Sequence, residues 1–596
     1  MIQLLGNAAL LYLPSAYQAL ALACLVVVVL GLVAIGAALA GRDRLPEADL
    51  LVGWSVVAGI VVVFGGWLGV SLTILSAVSL LLALGSALVL WRRRQAPLDG
   101  GVLRILVWMV PILVATASME PSQWDEFSQW LPNARYLTLF DTFPGPGNPP
   151  TDSVFPAYPP AMTVIYLLSS RLGGHYFDTV APWFNLLLLA SSARLVVRLF
   201  RGDDGAGWSA TAWGVLAVTA LGTTFVPKLV FSGYADTATA VAVAFSAILG
   251  LQLRQGGGRG LQFAAVFALL PMTKQGNFAL MALLLGALVF DCLRHGDGVT
   301  RFGKQLALTM VPVIVVSLAW RLHVTAGVGE LSVRAVSDWE WALLPDMLNS
   351  MAGVILSKGG YFGAGFLLVA IAVLGLGRQR LVTLFALCFL GYNIFLLVVY
   401  LAILAGYESA HAASYWRYNT HLGMLEMFVL TQVIGQRVGR LGAISLARRA
   451  ALAVGGLAAI IIPFAAVKYI RFDRNPAKMD ALRVIRDMAP LLPPAARLTV
   501  IDARGTGFYG NFTNYHLGYG QHVSQNLSTF NTAELAKVLT EHRPDYIWLR
   551  TQNPEVARIL AQDPDASHLL KAEGDGWRVV KSWPFPPGID PAGEKD

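Results

Sequence analysis

The sequence predicts an all-α polytopic membrane protein with about fourteen transmembrane helices, followed by a small α/β domain outside the membrane. Three observations predict it. Of 596 residues, 56% are hydrophobic and only 13% are charged, where a soluble globular protein carries roughly 25% charged residues. Apolar runs near the ~20 residues that a bilayer crossing needs follow one another through the first 470 positions. From Arg471 the composition turns polar, with 15 basic and 15 acidic residues, so the whole net charge of +8 lies in the preceding part. These features exclude a soluble enzyme, a disordered chain and a disulfide scaffold. The balanced tail gives no reason to expect a nucleic-acid partner.

The apolar runs lie near 18–40, 50–70, 72–91, 103–118, 179–199, 207–227, 234–253, 261–275, 277–293, 305–322, 361–377, 382–405, 421–436 and 450–468. Basic clusters test this map. They fall at Arg42/Arg44, Arg92/Arg93/Arg94, Arg198/Arg201, Arg254/Arg259, Arg294/Arg301/Lys304, Arg378/Arg380 and Arg437/Arg440/Arg448/Arg449, after every second run. The positive-inside rule makes these loops cytoplasmic and both termini external. The map holds only if 157–172 and 345–357 are helices lying in the outer interface rather than crossings. Residues 1–102 then form about three helices, 103–470 a membrane core with a first outer loop at 119–160, and 471–596 the outer domain. There RLTVIDA (497–503), DYIWLR (545–550) and GWRVVKSW (576–583) read as strands and TAELAKVLTEH (532–542) as a helix. The first apolar run has no basic region before it and is expected to stay as a helix rather than be cleaved. Cys24, Cys292 and Cys388 sit in apolar runs and read as small core residues.

Cytoplasmic loops carry little beyond topology signals, whereas the outer loops collect acidic, aromatic and amide side chains. The first begins Glu120-Pro-Ser-Gln-Trp124-Asp125-Glu126-Phe127-Ser-Gln-Trp130. An acid just beyond an apolar span is partly stripped of water, an environment that suits a general base. Phe155-Pro-Ala-Tyr158-Pro159-Pro160 follows, then Phe231-Ser-Gly-Tyr234-Ala-Asp236, Thr273-Lys274-Gln275-Gly276 and Tyr415-Trp416-Arg417-Tyr418-Asn419. This set, in this order, resembles the GT-C family of integral membrane glycosyltransferases, which use polyprenyl-phosphate-linked sugars. The match is nearest to the bacterial branch with protein mannosyltransferase-like and lipid A aminoarabinose transferase-like enzymes. It covers roughly 103–470. The Lys274 turn is one residue shorter than the family's Lys-x-x-Gly, and the first three spans precede the usual start of the core.

The resemblance implies a sugar transfer at the outer face of a bacterial inner membrane, with Asp125 as catalytic base and inversion at the anomeric carbon. Glu126 would orient the acceptor or join Asp125 on a divalent cation, for which Asp236, Glu408 and His411 are further candidate ligands; no spacing among them is diagnostic of a metal. The leaving phosphate needs positive charge more than an acid. Lys274 and Arg417, inside matching motifs, lead for that role, with Lys228 and Arg334 behind them. Trp124, Tyr158, Tyr234, Asp236, Gln275 and Tyr418 are the candidate substrate contacts. The acceptor is a lipid, a glycan or a protein. A polysaccharide polymerase or O-antigen ligase, and a lipid or glycan flippase, are the rival readings; the latter would place its polar residues at mid-membrane. In the tail, Gly505-Thr-Gly507-Phe-Tyr-Gly510 mimics a dinucleotide-binding loop, but the Asn- and His-rich residues after it predict a turn-rich loop rather than the helix that motif requires.

Overall fold

The computed structural model describes residues 12–591 apart from 97, 203–206, 297, 326–332, 376–378, 439–444, 519–521 and 575. Arg378 and Arg440 of the expected cytoplasmic clusters lie outside the described residues. The chain divides into two compact units. One comprises 1–119, 134–149 and 155–470; the other comprises 120–133, 150–154 and 471–596. Two stretches of the first long loop thus belong with the C-terminal residues.

In the first unit, each of the fourteen apolar runs overlaps a helix, although 207–227 is helical mainly over Trp208–Val218 and the end of 361–377 lies outside the described residues. Among the described residues, seven helices are long and apolar enough to cross a bilayer: Ala16–Ala40, Pro46–Trp67, Leu72–Arg92, Ala181–Arg201, Asn277–His295, Val299–Thr325 and Arg380–Ala402. Trp341–Ser357 and Gly359–Val373, bent by 95° at their junction, make an eighth if counted together. The remaining runs are shorter or more polar. Asp236–Leu251 has 16 residues, about 24 Å of helix against a ~30 Å hydrocarbon core. Tyr415–Val438 is longer but carries Arg417, His421 and Glu426.

The two expected interfacial helices differ. Leu344–Ser357 buries only Met347 and Met351, one narrow stripe, as a helix lying on a surface does. Ala161–Gly173 corrects the expectation for 157–172: every residue from Ala161 to Ser170 is buried, so the helix packs within the bundle instead of lying on its surface, and only its last turn, with Leu172, is exposed.

The N-terminal helices pack at backbone distance. A Cβ on Gly36 would stand 2.0 Å from the Asp49 carbonyl oxygen, and one on Gly53 1.8 Å from that of Leu32. Small residues permit this approach between membrane helices. The loop joining these two helices enters a buried polar network. Arg198 Nε bonds Glu47 (3.0 Å), Arg194 bonds Asp99 (2.9 Å) and Arg44 bonds Asp49 (2.8 Å). Gln262 accepts from Leu45 N–H (2.8 Å) and donates to Leu45 O (2.9 Å). Arg44 and Arg198, expected only to set topology, therefore also tie the first helices to the rest of the bundle.

The second unit holds a five-stranded sheet of β1 (Arg497–Asp502), β2 (His522–Ser528), β3 (Tyr546–Thr551), β4 (Ala566–Glu573) and β5 (Gly576–Pro584), in the order β2-β1-β3-β4-β5. β1 runs parallel to β2 and β3; β3–β4 and β4–β5 are antiparallel. The loop after β1 does lead into a helix, Phe508–Leu517, contrary to the turn-rich reading. Its glycines serve the protein itself. A Cβ on Gly505 would meet the Asp502 carboxylate at 2.0 Å, and one on Gly510 the Asn526 amide at 1.9 Å. Asn526 Nδ2 donates to Gly507 O (2.7 Å) and Arg550 bonds Asp502 (3.1 Å). Internal side chains thus fill the space under a loop that would otherwise cradle a phosphate.

Candidate functional site

The polar residues of the first unit converge on Asp236. The preceding turn is fixed by buried Asn185, whose amide donates to Val230 O (3.1 Å) and Ser232 O (3.0 Å). Asp236 then opens its helix, where the N-terminal partial charge favours an anion. Lys274 is delivered by a break. Helix Gly257–Thr273 ends after Pro271, which cannot donate a helical hydrogen bond, and Lys274 is extended at φ −158°, ψ 135°. The break is stitched by Asn277, whose amide donates to Leu270 O (2.9 Å) and Thr239 Oγ1 (3.1 Å). Arg417 and His421 stand one turn apart on helix Tyr415–Val438, so both side chains reach the same point.

Four donors crowd the Asp236 carboxylate. Lys274 Nζ (3.2 Å) and Arg417 Nε (3.1 Å) reach Oδ1, and Arg417 Nη2 reaches Oδ2 (2.9 Å). His421 Nε2 lies 2.9 Å from Oδ1, with its Nδ1 2.9 Å from the Tyr392 hydroxyl. The Arg417 guanidinium stands 4.2 Å over the Tyr234 ring, and Lys274 Nζ 5.4 Å over that of Tyr418. Asp236 is 1% exposed, while the Lys274 and Arg417 side chains keep 10% and 18%. One buried anion thus gathers two cations, each of which keeps a little exposure. Charge-assisted donors beside aromatic faces are the chemistry that an anion site requires.

Other sequence-selected residues fall around it or elsewhere. Gln275 Nε2 donates to Ala157 O (3.3 Å), which also accepts from Trp320 Nε1 (3.1 Å); this ties the half-buried Tyr158 segment to the Lys274 turn. Lys228 is half-buried on the short helix Pro227–Val230. Arg334 is engaged in its own loop, bonding Glu340 (2.8 Å), Leu401 O (3.1 Å) and the Leu404 carbonyl. Glu408 and His411 are exposed, and the His411 ring stacks on Tyr407 at 4.0 Å. Among the described residues no group of three or more His, Cys, Asp or Glu side chains could hold a metal ion, and both Asp236 oxygens already face cationic donors.

Asp125 and Glu126 belong to the second unit. Asp125 is half-buried at the head of the π-helical turn Glu126–Trp130. Glu126 folds the loop: Oε2 accepts the N–H groups of Ser122 (2.8 Å) and Gln123 (2.9 Å). Phe127 anchors it, with ring contacts to Phe512 (4.9 Å), Tyr515 (5.3 Å) and Phe508 (5.7 Å) of helix Phe508–Leu517. Lys478 Nζ donates to Ser122 O (2.6 Å) and stands 4.7 Å over the Phe508 ring. Trp124 is half-buried beside Asp125.

Sequence reasoning missed His421, Tyr392, Asn185 and Asn277. His421 had a usable signal, its i, i+4 spacing from Arg417. The two asparagines had none, since each serves backbone carbonyls exposed by distant breaks.

No protein-family model matches the chain, and no curated protein matches it. Among solved structures it is similar to ArnT from Cupriavidus metallidurans bound to undecaprenyl phosphate, at 15% identity and a TM-score of 0.45, covering 78% of this chain and 95% of that one. It is likewise similar to the apo state of the same ArnT, at 15% identity and a TM-score of 0.47, covering 77% and 94%.

Proposed function

We propose that the chain is a membrane glycosyltransferase that moves a sugar from a polyprenyl-phosphate donor to an acceptor hydroxyl at the outer face of a bacterial inner membrane. The observation that carries this reading is the joining of Lys274 and Arg417 on buried Asp236, at the tip of an apolar helix bundle. A lipid phosphate whose tail lies among apolar helices presents its charge at such a place. Arg417 and Lys274 hold the phosphate, Asp236 positions them, and Tyr234 and Tyr418 flank the sugar or the first isoprene unit. Asp125 accepts the proton of the acceptor hydroxyl as its oxygen bonds to the anomeric carbon. The anomeric C–O bond to phosphate breaks and its electron pair leaves on the phosphate. One displacement inverts the anomeric centre.

Comparing cell-envelope glycans by mass spectrometry, with and without this chain, names the sugar. Transfer of that sugar by the purified chain in liposomes then tests the base. Asp125→Asn is expected to lower the rate by about 10²–10⁴ with the protein still folded. Full transfer by D125N overturns the role of Asp125, and an unchanged envelope in cells lacking the chain overturns the activity.

A further inference from the structure

The first three helices have no part in the proposed chemistry, yet they frame a crevice of about 310 Å³ with helix Ala161–Gly173. Val28, Gly31, Ile35, Ala83 and Leu168 line it. Val27 and Leu80, 50% and 45% exposed, stand at its open side. From Thr73 to Ala83 the helical wall rises about 15 Å, room for a single hydrocarbon chain of about a dozen carbons.

One end of the crevice is charged. Arg171 and Thr73, both in its lining, meet Asp141. Arg171 Nη2 donates to Asp141 Oδ1 (2.7 Å), as do Thr73 N (2.7 Å) and Thr73 Oγ1 (2.7 Å), while Ser71 Oγ donates to Oδ2. Oδ2 therefore keeps a lone pair for another donor. Arg171 and Asp141 retain 27% and 36% of their side-chain exposure, so a ligand reaches both. Burial works against ionisation of Asp141, but the hydrogen bonds from Ser71 and Thr73 and the Arg171 charge outweigh it and hold its carboxyl below the usual range. The mouth thus presents a fixed cation and a fixed anion side by side.

We propose that this crevice binds a phosphatidylethanolamine of the surrounding bilayer, with one acyl chain in the slot, its phosphate on Arg171 and its ammonium on Asp141. A zwitterionic head with N–H donors matches the paired charges. A choline head has no N–H to give Asp141, and a glycerol head brings no cation.

The test uses the full chain purified in detergent, with lipids of identical acyl chains added and binding read by native mass spectrometry. Phosphatidylethanolamine is expected to bind about tenfold tighter than phosphatidylcholine or phosphatidylglycerol, the difference one charge-assisted hydrogen bond makes. Arg171→Gln and Asp141→Asn are expected to remove that preference. Ala77→Phe, on an exposed part of the slot wall, is expected to weaken all three lipids equally. Equal binding of the three by the wild-type chain overturns the proposal, and that comparison stands even if a charge variant fails to fold. Binding unmoved by A77F overturns the slot as the chain's location.

Discussion

Asp236 holds two cations together in a place nearly devoid of water. Removing one partner of a buried ion pair typically costs about 3–5 kcal/mol, because the remaining charge is left uncompensated. Asp236→Asn should therefore lower the melting temperature of the purified protein by that order of destabilisation, since it removes the carboxylate on which Lys274 and Arg417 meet. The damage should be partly repaired by adding Lys274→Met, which removes one of the two cations; a melt unchanged by D236N would refute the arrangement. Arg417→Lys asks a different question. The ammonium keeps the charge but cannot bridge both Asp236 oxygens as the fork does. If Arg417 also meets the donor phosphate, R417K should weaken donor binding by about tenfold with a smaller effect on the melt, measured as a dissociation constant for the polyprenyl-phosphate sugar.

Helix pairs in this chain depend on what is absent from their surfaces. Gly53→Ala would place a methyl 1.8 Å from Leu32 O, forcing helices Ala16–Ala40 and Pro46–Trp67 apart, whereas a Cβ on Gly85 has nothing within 4 Å. The first substitution should cost about 1–3 kcal/mol and the second nothing measurable, compared by thermal melts. Helix Gly100–Thr116 shows the same economy at its start. Asp99 accepts from Val102 N–H (2.7 Å) while bonding Arg194. Burial alone would raise its carboxyl pKa, but those bonds win and hold it below the usual value. The cap's contribution is thus complete at neutral pH and disappears as pH falls through the lowered folded value. Wild type and Asp99→Asn should differ in stability by a constant amount from pH 6 to 8 and converge only below about pH 4. Hydropathy made these helices legible, because burial in lipid or protein selects the same apolar runs. It could not show which were too short to cross alone, since that follows from Lys274, Asp236 and Arg417 occupying their ends. Helix Phe508–Leu517 escaped because its asparagines and glycine have low helix propensity. Its real signal was Phe508, Phe512 and Tyr515 at i, i+4 and i+7, the face that meets Phe127.

At the scale of the whole molecule, the basic clusters make a claim about orientation that the three native cysteines leave easy to examine, all being buried. Cysteine introduced at Phe530, 58% exposed, should react with an impermeant maleimide on intact cells. At Arg93 it should react only after permeabilisation, and the reverse pattern would invert the map. The C-terminal domain was legible as a compositional change at residue 471, and β1, β3 and β5 from their apolar or alternating patterns. What no local pattern could reveal is that residues 120–133 belong with that domain, because the link runs through ring contacts between positions almost 400 apart in sequence. That link imposes an order on biosynthesis. When Phe127 leaves the ribosome, the aromatic helix it packs on is still about 380 residues away, some 20–75 s at 5–20 residues per second. Asp125 and its loop therefore reach their final form only as the last domain folds, so that a chain interrupted before Phe508 inserts its helices but never completes the acidic loop.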